Sequence, residues 1–197
     1  DQSGEMGDNL VAVNLGVRVK SFDVGEWHSC AVLEDNSVEC WGKNDYGQLG
    51  IGDNSGEKEN IGDGLNEMGN NLPVVSLGRK VRAVDGGGGH TCAILDNRSV
   101  KCWGDNEFAQ LGLAEGNNTP RGDSAAAGHE MGALLPTVDL GTGRTVISLS
   151  ASAGTTCAVL DNAVVKCWGY NEDGELGNGG TADVGSAVGS MGNNLPA

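Results

Sequence analysis

Apolar residues along this chain fall in short bursts of four to seven positions, each closed by glycine, asparagine or aspartate. That pattern predicts short strands joined by tight turns and almost no helix, because helices need longer runs with apolar residues three and four apart. In the middle of the chain "VRAVDGGGG" reads as a strand with Val81 and Val84 inward, "HTCAIL" as a second and "SVKCWG" as a third. "LPVVSLG", ahead of them, reads as a fourth, outer strand.

The same series occurs three times. "CAVLEDNSVECWGKNDYGQLG" starts at Cys30, "CAILDNRSVKCWGDNEFAQLG" at Cys92 and "CAVLDNAVVKCWGYNEDGELG" at Cys157, offsets of 62 and 65 residues. A second marker runs in phase, with Met-Gly turns at Met6, Met68, Met131 and Met191 and a Leu-Gly at Leu15, Leu77 and Leu140. The units are placed at 1–66, 67–129 and 130–190, with 191–197 opening a fourth. A fixed period of this kind marks a repeat array, whose core forms between neighbouring units. Continuation beyond this chain is expected, as a segment of a longer array or as a subunit whose end completes the next subunit's blade.

Between the second and third strands lie "EDN", "LDN" and "LDN", which puts Asn36, Asn97 and Asn162 at the one loop position that needs a positive φ. With residues 34 to 36 as the loop, Val32 faces Val38, Ala31 faces Glu39 and Cys30 faces Cys40. Directly opposed residues bring Cα atoms to ~4.5–5.5 Å, a distance a disulfide accepts. The expected bridges are Cys30–Cys40, Cys92–Cys102 and Cys157–Cys167, with reduced, buried thiols in the same hairpin as the alternative. Two thiols per unit without a histidine pair do not make a zinc site, and no Cys-x-x-Cys redox pair occurs.

Net charge changes the functional picture. At −15, from 12 basic and 27 acidic residues, the surface repels phosphate backbones, so nucleic-acid binding is not expected. No apolar run approaches a membrane span, so membrane insertion is not expected either. Paired cysteines suit an oxidising compartment, which places the chain outside the cell or on its surface.

The string Gly-x-x-His-[Ser/Thr]-Cys-Ala-[Val/Ile]-Leu, a turn, then Val-x-Cys-Trp-Gly-x-Asn-x-x-x-Gln-Leu-Gly resembles the regulator of chromosome condensation repeat. It is met in "GEWHSCAVLEDNSVECWGKNDYGQLG" and "GGGHTCAILDNRSVKCWGDNEFAQLG", and in divergent form in "SAGTTCAVLDNAVVKCWGYNEDGELG". The resemblance implies an all-β fold of four-stranded β-propeller blades, and its twin-cysteine form is similar to secreted or surface versions. Founding members act on a small GTPase and bind histones and DNA through basic surfaces and a wedge. Nothing in this chain matches that wedge. Three blades do not close a ring, and they leave open faces at both ends.

Few residues offer chemistry. His28 and His90 are equivalent, with Thr155 in their place in the third copy, and a bond to nearby backbone is the expected role; His129 has no evident partner. No nucleophile elbow, phosphate loop or Ser/His/Asp order is present, so no catalytic residue and no cofactor is assigned. The acidic loops, "DNSGEKENIGDG" above all, offer oxygen ligands of the calcium kind, against a solvated loop as the plain reading. Arg121, Gly122 and Asp123 form an integrin-type adhesion triplet on what reads as an exposed loop. Asn97 and Asn117 head glycosylation sequons. Trp41, Trp103 and Trp168 recur and read as inter-blade packing, whereas Trp27 faces glycines in the other copies and marks a contact surface.

These observations describe a non-enzymatic extracellular scaffold that works by protein–protein contact, with copies of itself or adjoining repeats of a longer chain as partners, and self-assembles into a surface fibre or appendage. The alternative is a closed propeller domain of a larger secreted protein that holds a distinct extracellular protein or glycan on its rim. An enzyme would need carboxylates or histidines from several blades to converge on one rim.

Overall fold

The computed structural model describes residues 6–116, 118–124 and 129–197. Ten strands form three antiparallel sheets, one per repeat. Blade 1 runs β1 (Val19–Val24), β2 (His28–Leu33), β3 (Val38–Lys43) and a short β4 (Asn60–Ile61). Blade 2 holds β5 (Val81–Gly86), β6 (His90–Leu95) and β7 (Val100–Gly104), and blade 3 holds β8 (Val146–Ser152), β9 (Thr155–Leu160) and β10 (Val165–Gly169). The helical content among the described residues is four three-residue 3-10 turns, three of them at the Met-Gly markers.

The first strand of each blade breaks strict alternation. Val81 and Val84 are both buried although three residues apart, because the β5–β6 register slips between Val81 and Ala83. The same slip occurs between Val19 and Ser21 and between Val146 and Ser148. A bulge of this kind inserts one residue and lets two odd-spaced side chains share a face.

In the hairpins, Leu33 N–H donates to the Ser37 carbonyl, and from that bonded pair the alternation makes Cys30 and Cys40 a non-hydrogen-bonded pair, the closer kind. Their Cα atoms are 4.1 Å apart and the sulfurs are joined, as they are in Cys92–Cys102 and Cys157–Cys167. The turn assignment needs correction in two copies. The positive φ values belong to Asn36 (67°), Arg98 (65°) and Ala163 (63°), so Asn97 and Asn162 align with Asp35 and not with Asn36. Their side-chain oxygens accept the N–H two residues on, Ser99 and Val164, as Asp35 accepts that of Ser37. These are Asx turns, which need an Asn or Asp but no positive φ there.

The outer strand also lies elsewhere than expected. "LPVVSLG" does not form a strand; it crosses to the blade before it through one bridge, Glu39 to Val74, and a bond from Val75 N–H to the Val38 carbonyl. Val138 N–H meets the Val100 carbonyl in the same way. The fourth-strand position is filled from the loop after each Leu-Gly, by Ile61 opposite Gly42, Arg121 opposite Gly104 and Val184 opposite Gly169. Among the described residues, blade 1 extends this pairing into a strand, whereas blades 2 and 3 show a single bridge.

The core sits between the blades. One cluster joins blades 1 and 2 around Leu49, Leu77, Leu95 and Trp103, and another joins blades 2 and 3 around Leu111, Leu140, Leu160 and Trp168. Replacing Cys92 and Cys102 by alanine frees a short loop in the unfolded chain, and we expect a loss of about 2–3 kcal/mol on a chain-entropy estimate. Urea unfolding of the variant beside the wild type measures it, and an unchanged midpoint counts against the staple as a source of stability.

Candidate functional site

Each joint between blades is built from the same few groups. The main-chain carbonyl of Gln48 in blade 1 accepts from Trp103 Nε1 at 2.9 Å and from Thr91 Oγ1 at 2.8 Å, both of blade 2. The carbonyl of Gln110 accepts from Trp168 Nε1 at 2.9 Å and Thr156 Oγ1 at 3.0 Å of blade 3. With its one proton given to the carbonyl, each threonine oxygen accepts from a histidine of the blade before: His28 Nε2 at 2.7 Å from Thr91, His90 Nε2 at 2.9 Å from Thr156. This makes Nε2 the donor of both rings across the joint. The histidines thus bond across the joint and not to adjacent backbone. Asp23 accepts Gly86 N–H at 2.7 Å and Asp85 accepts Ala151 N–H at 2.6 Å.

Aromatic residues cross the joints on the rim. Tyr46 lies over Gly89 and Phe108 over Gly154, so closely that a Cβ on either glycine would sit 3.1 Å and 2.9 Å from the ring in question. Phe108 also meets Tyr170 edge-on, with centroids 5.0 Å apart. Trp27 occupies the equivalent glycine position in blade 1 and is 59% exposed, with Lys43 Nζ 5.8 Å from its ring centre. Trp27, Lys43, Tyr46 and Phe108, with Glu26 and Asp105, line a rim groove of about 330 Å³. A second groove, about 410 Å³, opens on the free face of blade 1 between Val13, Val19, Phe22, Val24 and Trp41.

The remaining expected site residues lie as follows. Trp103 and Trp168 are fully buried in the joints, while Trp41, which no other blade covers among the described residues, is partly exposed. The adhesion triplet is not displayed: Arg121 is 4% exposed, bridges to Gly104 through its backbone and pairs with Glu115, and Gly122 is buried with it. Asp123 is 2.7 Å from His129 Nδ1, which gives that histidine the partner the sequence did not reveal. Asn97 is exposed at its hairpin tip, and Asn117 lies outside the described residues. In the acidic loop, Asp53 accepts from Ser55 N–H and Oγ and pairs with Lys58, contacts that hold its carboxyl down to about 2. Among the described residues no three His, Cys, Asp or Glu side chains converge as a metal site.

Two sequence models, both described as Regulator of chromosome condensation (RCC1) repeat, match the chain, one at 19–48, 81–110 and 146–175 and the other at 35–94. The chain belongs to the RCC1 repeat family. Among curated relatives of these RCC1 repeats, the Ultraviolet-B receptor UVR8 of Arabidopsis thaliana is 27% identical over 85% of this chain and 33% of its own length. The human E3 ubiquitin-protein ligase HERC2 is 27% identical over 83% of this chain and 4% of its own. Among solved structures, Prp20p from Saccharomyces cerevisiae superposes with a TM-score of 0.66 at 20% identity, covering 87% of this chain and 38% of that one. The chain thus spans about a third of UVR8 and a small part of HERC2, and its likeness to Prp20p establishes the propeller-type blade.

Sequence reading missed Tyr46, Phe108, Tyr170 and Phe22 as surface features, and the threonine partners of the histidines. The available signal was the Ser/Thr that follows each His position, which belongs to the joint with the preceding blade.

Burial pushes His28 down to about 4 and His90 to about 3, so both rings are neutral at pH 7. A depressed imidazole contributes stability that is complete above the free value of 6.5 and is lost as pH falls from there through about 4 and about 3. Asp85, pushed up to about 6 by burial, works in the opposite sense over part of that range. Urea midpoints should therefore fall between pH 7 and pH 4, and fall less steeply when His28→Asn and His90→Asn are combined; equal slopes would show that the rings are not the source.

Proposed function

We propose that this chain is a non-enzymatic, disulfide-stapled extracellular scaffold that works by protein contact and associates with copies of itself. The observation that carries the reading is the apolar groove on blade 1 between Val13, Val19, Phe22, Val24 and Trp41. Phe22 is 69% exposed there, whereas its equivalent in blade 2, Val84, is 8% exposed because blade 1 covers it. An exposed apolar groove of this kind marks an interaction surface.

Three disulfides support a secreted chain, and no helix among the described residues is long and apolar enough to cross a membrane. Prp20p is described with binding to Gsp1p and histones, which supports protein contact as the work of such blades. Those named partners belong to Prp20p, and the charge of −15 disfavours nucleic acid for this chain. A second reading, a distinct protein or glycan held on the rim, is favoured by the groove around Trp27 and Tyr46, since exposed aromatic faces suit both kinds of partner.

Light scattering on size-fractionated, unreduced protein, followed by electron microscopy of the same fractions, tests the proposal. We expect species at multiples of 20.1 kDa with a regular repeat. A 20.1 kDa particle at every concentration overturns self-association and moves attention to the rim.

A further inference from the structure

We propose that the outer edge of blade 1 holds a calcium ion between the Glu39 carboxylate and the main-chain carbonyls of Leu15 and Gly69. The site does not depend on self-association.

The other two blades show what this place in the repeat requires. Lys101 Nζ donates to the Leu77 carbonyl at 3.1 Å and to the Gly132 carbonyl at 2.6 Å, and Lys166 Nζ donates to the Gly192 carbonyl at 2.6 Å. In blade 2 a cation thus ties the Leu-Gly turn ahead of the blade to the Met-Gly turn after it. Blade 1 keeps the same frame: Glu39 opposes Ala31 as Lys101 opposes Ala93 and Lys166 opposes Ala158. Gly69 N–H bonds the Asn14 carbonyl as Gly132 N–H bonds that of Ser76 and Gly192 N–H that of Asp139, which sets Leu15 and Gly69 in the places of Leu77 and Gly132. A carboxylate therefore replaces the ammonium beside an unchanged pair of carbonyls.

Such a set holds acceptors alone. Glu39 is 5% exposed, and its Oε2 has no hydrogen-bond partner among the described residues. A buried charge or acceptor left in that state is costly, and a cation removes the cost at all three groups together. The Gly69 carbonyl has the capacity: it accepts from Leu72 N–H within its turn and keeps a second lone pair, and the Gly192 carbonyl uses both, towards Leu195 N–H and Lys166.

The approach to Glu39 has the matching charge. Glu39 lines a groove of about 510 Å³ together with Arg18, Glu34 and Asp35, three acidic groups to one basic. The equivalent groove of blade 2, about 350 Å³, holds Arg79 and Lys101 and no acidic side chain. That second groove stays open although blade 2 is packed on both sides, so neighbouring blades do not cover this place in the repeat. A groove of one sign gathers ions of the other. Calcium accepts six to eight oxygens in adaptable geometry, which a carboxylate, two carbonyls and water supply, whereas magnesium demands a strict octahedron. Because two of the three protein ligands are main-chain groups, no cluster of three acidic side chains marks the site among the described residues.

Equilibrium dialysis against calcium chloride, with urea unfolding in calcium or in chelator at matched ionic strength, tests the site on the 197-residue chain. One carboxylate places the affinity among the weaker calcium sites, so we expect half-saturation at ~0.1–1 mM. The urea midpoint should rise as the ion binds, and rise less with magnesium. Glu39→Lys rebuilds the blade 2 arrangement: its midpoint in chelator should reach that of calcium-loaded wild type and no longer respond to calcium. Glu39→Gln keeps the side-chain size and should also lose the response, which decides the matter where the lysine variant does not fold. Glu107→Lys, the same change of charge at an exposed position of blade 2, should keep it. A wild type indifferent to calcium overturns the site and leaves a protonated Glu39 to bond a carbonyl itself. A response that survives in the folded Glu39 variants overturns it as well, since it then belongs to diffuse attraction towards an acidic surface.

Discussion

A single main-chain carbonyl organises each joint between the blades. At Gln48 and Gln110 it accepts an indole N–H and a threonine hydroxyl from the next blade, and both donors are buried. The loop that presents it is organised for that purpose. Asn44 accepts Leu49 N–H and donates to the Asp53 and Lys58 carbonyls, and the Gln48 side chain accepts Tyr46 N–H. Asn106 and Asn171 repeat the arrangement towards Leu111 and Leu176. Buried polar groups are costly unless paired, so displacing the loop leaves several of them unsatisfied together.

Because the same carbonyl serves at every joint, stability follows a nearest-neighbour rule, with each blade depending on the one beside it. The blades are nevertheless not interchangeable. Glu39 is buried where blades 2 and 3 place Lys101 and Lys166, whose ammonium groups hold the Gly132 and Gly192 carbonyls of the Met-Gly turns. Burial and the nearby Asp35 raise the Glu39 carboxyl. Blade 1 therefore holds its outer segment by the Val74 bridge and the Val75 bond instead of by a lysine.

The hairpins were legible in the sequence because loop length alone sets their register, and register sets which cysteines meet. Matching "EDN" to "LDN" by letters misplaced two asparagines; counting from the cysteines, which keep a separation of 10 in all three copies, puts Arg98 and Ala163 opposite Asn36. The outer segment "LPVVSLG" carries a strand-like composition, yet its partner is chosen by the path of the chain, which composition does not encode. The tryptophans could be assigned to inter-blade packing, but their acceptor is a main-chain carbonyl and has no side-chain signature. Arg121 was misread for a related reason: a triplet motif says nothing of the backbone bridge and the Glu115 pair that bury its arginine.

The staples have a mechanical consequence. Every disulfide lies within a hairpin and none crosses a joint, so covalent closure and blade-to-blade cohesion are carried by different bonds. A blade pulled away from its neighbour keeps a closed loop that withholds about 30–35 Å of its chain from extension. A stretched array of such blades lengthens in shortened steps and retains, at every step, a folded seed from which the sheet can re-form.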